Sequence, residues 1–154
     1  MNENLIEARE ELKRLEHILY VSLKYTRTVD VLTNALQRII GVYDFIIMAL
    51  LEHAQEEKLI SVLPKSPALR STKLADLYPE EKELQDHLFF YLFLRNTLNQ
   101  PNTKRQEYRR HVTLIVKQEK ATVEIDSDNL LNCEKYVHKF LNYAKDKIHG
   151  KKES

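Results

Sequence analysis

Residues Ile39–Leu51 read IIGVYDFIIMALL, a run that is apolar on nearly every side of a helix and carries a single acid, Asp44. A helix of that kind must be surrounded by other helices or by a second subunit. The run therefore implies a bundle built around one central helix. Its apolar period extends back through Leu36 and Leu32 to Val29 and forward through Tyr43, Ile46 and Leu50, with Thr28 placed as an N-cap. Gly41 costs about 1 kcal/mol against alanine in a helix, so a close helix crossing or a bend is expected there. The apolar stretch itself is too short to span a bilayer.

Working outward, Leu5, Ala8, Leu12, Leu15 and Leu19 recur at steps of three and four and predict a first helix over Leu5 to about Leu23. After the central helix, Lys58 to Pro79 contains three of the four prolines and reads as a loop with one short helical turn around Lys73 to Leu77. Pro79, followed by Glu80, Glu81 and Glu83, reads as the start of a third helix whose core-facing run is LFFYLFLRNTL, Leu88 to Leu98. Asp126, Ser127 and Asp128 supply caps for a last helix, with a stripe through Leu130, Val137, Leu141, Ala144 and Ile148 to Gly150. Leu12, Leu15, Leu36, Ile39, Tyr43, Ile46, Leu88, Leu92, Val137 and Leu141 are the expected core.

Between the third helix and the last, the period changes. Val112 to Ile125 reads VTLIVKQEKATVEI, a β-branched run with a polar break at Lys117 to Lys120, which is the pattern of a hairpin turning at Gln118 to Lys120. Just before it stands KRQEYRRH, Lys104 to His111, a basic collar of four cations and a histidine beside a tyrosine. Lys104, Arg105, Arg109 and Arg110 are suited to hold phosphates while Tyr108 stacks on an unpaired base, the combination used at single-stranded nucleic acid sites. The other reading is a solvated charge run that keeps a sheet edge from pairing with foreign strands, with Glu107 neutralising part of it.

Composition limits the function classes. The chain has 154 residues, 43% hydrophobic and 31% charged, as in an ordinary globular domain. Twenty-four Lys and Arg against 23 Asp and Glu give a net charge of +1, so any attraction for nucleic acid must come from a local patch. Two glycines leave no GxGxxG or Walker loop. The single Cys133 excludes an internal disulfide framework and suits a reducing cytosol. Acids throughout the first 20 residues and no apolar leader segment add to a cytoplasmic expectation, with no membrane partner. His53 with Glu57 and Glu134 with His138 share helix faces at four-residue steps, the spacing of a solvated pair as well as of two metal ligands. No metal and no cofactor are expected.

Two resemblances bear on the collar. Arg105 and His111, with five residues between them, resemble the Arg-and-His pair of the HEPN superfamily of helical-bundle proteins, many of which cut RNA. That resemblance implies a guanidinium that stabilises phosphate and an imidazole that moves the ribose proton. The superfamily's arginine is often followed by Asn, as in Arg95-Asn96, but positions 100 to 102 here are Gln100, Pro101 and Asn102, without the histidine. Over most of its length the chain is also similar to a group of small uncharacterised archaeal proteins, through Leu92 to Arg95, Glu107 to Thr113 and the KYVHKFL of Lys135 to Leu141. The likeness implies a helical bundle with a C-terminal hairpin and brings no activity.

The sequence therefore predicts a mainly α, four-helix-bundle-like single domain over residues 1–150, with one β-hairpin at about 111–126 before the C-terminal helix and a charged tail at 151–154. The expected function is a cytoplasmic binding or regulatory module without catalytic activity, contacting RNA or a protein. A homodimer is expected because the central helix and Phe89, Phe90, Tyr91 and Phe93 offer more apolar surface than four helices absorb. The alternatives are a HEPN-like metal-independent ribonuclease using Arg105 and His111, and a purely structural homodimeric subunit.

Overall fold

The computed structural model describes residues 2–22, 28–99, 102–105, 113–118 and 121–150, with backbone alone for Val29 and for 102–105, 113–118 and 121–128. Among them are five α-helices: α1 Glu3–His17, α2 Val29–Glu56, α3 Pro67–Leu77, α4 Lys82–Asn99 and α5 Ser127–His149. The chain is mainly helical, and α2 is its axis: α1, α3, α4 and α5 all pack against it.

Each boundary has a local cause. The Asn2 side chain accepts from the Asn4 N–H at the head of α1, and the Thr28 hydroxyl accepts from the Val31 N–H at 3.2 Å at the head of α2. Beyond α1 the coil widens into a π-helical turn, Ile18–Ser22. The central helix stops at Lys58, whose φ of 65° is left-handed. There the Leu59 N–H donates to the Ala54 carbonyl and the Lys58 N–H to that of Gln55, the two bonds of a Schellman stop.

Leu32, Leu36, Ile39, Tyr43, Ile46 and Leu50 of α2 are buried, with Leu5, Ala8, Leu12 and Leu15 of α1 and Leu130, Val137, Leu141 and Ala144 of α5. By length and composition α2 from Asp30 is apolar enough to cross a membrane, which a reading limited to Ile39–Leu51 excludes; most of it is enclosed by the other helices. At Gly41 an added Cβ would stand 3.1 Å from the Glu11 carboxylate, so the glycine marks the close crossing of α1. That carboxylate accepts a 2.8 Å ion-pair bond from Arg38.

Two helix expectations change. The segment read as a single turn is an eleven-residue helix, α3, started by Ser66, whose hydroxyl accepts from the Leu69 N–H, with Pro67 in the first turn. Pro79 does not start α4; it sits in a turn, and the helix begins at Lys82. One core residue is misplaced as well: Leu92 is 42% exposed, while Tyr91 and Leu94 point inward. From Leu88 to Leu94 the run is apolar all round, so its pattern does not show which side faces the core.

In the backbone, three extended segments, β1 Asn102–Arg105, β2 Thr113–Gln118 and β3 Ala121–Asp126, carry antiparallel registers that pair Thr103 with Ile115 and Val116 with Val123. Val112 and the turn residues Glu119 and Lys120 lie outside the described residues. So does the tail, 151–154.

Candidate functional site: an apolar groove along α4

Helix α4 turns Leu84, His87, Leu88, Tyr91 and Leu94 to the core at helical spacing. The same periodicity leaves Phe89 on the outside, 76% exposed, one turn from the half-covered Leu92. Phe90 and Phe93 lie between the two sides, stacked at 6.4 Å, with Phe90 edge-on to Tyr136 of α5 at 5.1 Å. Together these rings wall a groove of about 670 Å³ between α4 and α5, floored by Leu36 and Leu130 and edged by Cys133. A smaller hollow of about 440 Å³, between α3 and α4, lies on the other side of Phe89. Burial pushes the Cys133 thiol up to about 11, so at neutral pH it is a protonated, weakly polar part of the wall.

Behind the groove lies an aromatic layer centred on His87, which is 1% exposed. Its ring stacks on Phe140 at 4.6 Å and lies tilted against Tyr136 at 4.3 Å. Burial lowers its pKa to about 4; Asp86 acts in the opposite direction and Lys139 in the same one. The imidazole is therefore neutral at pH 7, and its Nδ1 has no hydrogen-bond partner. Sequence reasoning misses this residue, because an isolated His in an apolar run gives no sign of a stacked core position. His87 also borders a more polar recess of about 910 Å³. There Glu81 accepts from Tyr143 and, at 2.6 Å, from Lys147. Burial pulls the Glu81 carboxyl upward, but those two hydrogen bonds outweigh it and hold the carboxyl below its usual range.

A further polar pair crosses the core. Tyr91 donates to Asp44, the one acid of the central run, and Arg95 lies 5.7 Å over the Tyr91 ring. Burial raises the Asp44 carboxyl, opposed by the Tyr91 hydrogen bond and the charge of Arg95. The Arg95 of the Arg-Asn dipeptide is thus placed beside the Tyr91–Asp44 pair.

Of the expected site residues, Lys104 and Arg105 fall on β1 in backbone alone, and Tyr108, Arg109, Arg110 and His111 lie outside the described residues. The two His–carboxylate pairs do not meet at a common point. His53 pairs with Glu57 at the end of α2, whereas Glu134 and His138 of α5 gather with Glu16 of α1. No family model, curated protein or solved structure matches this chain.

Proposed function

We propose that the chain is a cytoplasmic binding module that works as a homodimer, joined through the outer face of α4. The supporting observation is the exposed Phe89 beside the apolar groove walled by Phe90, Phe93 and Tyr136. A large ring left in water next to an apolar groove is the surface expected of an interface, and each copy carries both ridge and groove, as a two-fold contact requires. Light scattering on the parent and on Phe89→Asp tests it: a dimer that becomes a monomer with an unchanged helical spectrum supports the reading, and a parent that stays monomeric removes it.

RNA contact through Lys104, Arg105, Tyr108, Arg109 and Arg110 is the second reading, favoured by four cations within eight residues of a chain whose net charge is +1. Replacing Arg109 and Arg110 by Glu would then weaken RNA binding strongly, and parent affinity would fall steeply with salt. His111→Ala separates binding from the ribonuclease alternative, in which Arg105 and His111 cut RNA: only the nuclease loses activity while retaining its RNA.

A further inference from the structure

The geometry points to a divalent transition-metal site formed by Glu16 of α1 with Glu134 and His138 of α5, which would tie the first helix to the last. The three residues come from distant parts of the chain. Glu134 and His138 share one face of α5 at a four-residue step, and the packing of α1 against α5 brings Glu16 to the same point. One ligand atom from each lies within 4.8 Å of the others, and His138 Nε2 stands 3.6 Å from Glu16 Oε1. Ligands at about 2.1 Å from a tetrahedral ion are themselves about 3.4 Å apart, so small side-chain rotations close the set.

The arrangement differs from a surface ion pair in what surrounds Glu134. That side chain belongs to a residue only 5% exposed, facing a second carboxylate. Bringing a buried carboxylate beside another disfavours both charges unless a cation or a proton stands between them. The π-helical turn Ile18–Ser22 begins two residues after Glu16, and such turns recur at functional sites.

The donor set, one imidazole and two carboxylates, selects the ion class. Imidazole suits Zn²⁺, Fe²⁺ and Ni²⁺ better than Ca²⁺ or Mg²⁺, which take oxygen shells. Three protein ligands also leave a coordination position open to water or a small anion.

The test is titration of the full-length, chelator-treated protein with Zn²⁺ by calorimetry, and with Co²⁺ by visible absorption, on the parent, Glu134→Gln, His138→Ala and His53→Ala. One ion per chain is expected, with affinity reduced at least about tenfold in Glu134→Gln and in His138→Ala and unchanged in His53→Ala. Co²⁺ absorption of the low-symmetry, four- or five-coordinate type should vanish with the same two variants, whose helical spectra show whether they remain folded. A parent that binds neither ion, or that binds equally well after both substitutions, overturns the site and leaves Glu16 and His138 as an ordinary ion pair.

Discussion

Helix α2 and helix α4 carry runs of almost equal apolar character, IIGVYDFIIMALL and LFFYLFLRNTL, yet the bundle treats them differently. The first is covered over most of its circumference: Ile39, Val42, Tyr43, Ile46, Ile47 and Leu50 are buried together, and Gly41, Asp44, Phe45 and Met48 are half-buried. The second is covered on one side, and Phe89 and Leu92 stay in water. Both runs are rich in large apolar side chains; their positions in the bundle differ. An apolar helix at the axis finds four neighbours, whereas one at the rim finds them on the inner face alone. The difference locates the surface with which this protein is proposed to meet a second copy.

The largest effect is expected at the axis. Ile46→Ala should cost about 2 to 5 kcal/mol in chemical denaturation, because the side chain is fully buried and the bundle around it closes only partly over the gap. A loss under about 1 kcal/mol would mean that α2 is not the enclosed element.

Next comes the layer between the two helices. His87 takes up a proton less readily in the fold than in the unfolded chain, where its pKa is near 6.5. The unfolded state therefore binds the extra proton first as pH falls. Stability from this group is complete above pH 6.5 and is lost progressively down to about pH 4, roughly 3 kcal/mol at about 1.4 kcal/mol per pH unit. Glu83, 3.8 Å from Nε2, and Asp86 favour the charged ring and soften the loss. In His87→Phe, which keeps a ring between Tyr136 and Phe140, the difference in unfolding free energy from the parent should grow in the variant's favour across this window. An equal slope in both proteins would show that His87 is not the group responsible.

At the rim the expectation reverses. Phe89→Asp should change the stability of the dilute protein by no more than about 0.5 kcal/mol, since the ring is mostly in water. A loss comparable to that of Ile46→Ala would abolish the contrast. The smallest change is expected where α2 ends: Lys58 holds a left-handed φ of 65° at its Schellman stop, and Lys58→Gly should stabilise by about 0.5 to 1 kcal/mol in thermal unfolding.

The sequence makes the helices legible where one stripe is apolar and the other is charged. Leu5 to Leu19 and Leu130 to Ala144 read correctly because only one face could be buried. It is less informative where that contrast fails. The all-round apolar run of α4 hides its inner face, so Leu92 reads as core although Tyr91 and Leu94 occupy the inner positions. Prolines mislead in the opposite sense: Pro67 reads as a breaker but stands in the first turn of α3, where its missing N–H costs nothing. Glu16 carries no sign of meeting Glu134 and His138, because nothing local says which helix lies beside α1. His87 likewise becomes distinctive only once Phe140 and Tyr136 pack on it. The basic collar is plain in the sequence as a charge cluster, while its arrangement in space depends on residues outside those described.

The comparison of axis with rim is tested most directly by the unfolding midpoint over a roughly hundredfold range of protein concentration, measured on the parent and on Phe89→Asp. A face that pairs two copies makes the parent's midpoint rise with concentration and leaves that of Phe89→Asp flat, with the two proteins converging on dilution. A parent midpoint independent of concentration, or one that rises equally in Phe89→Asp, would contradict the account and leave the exposed ring without a role in assembly.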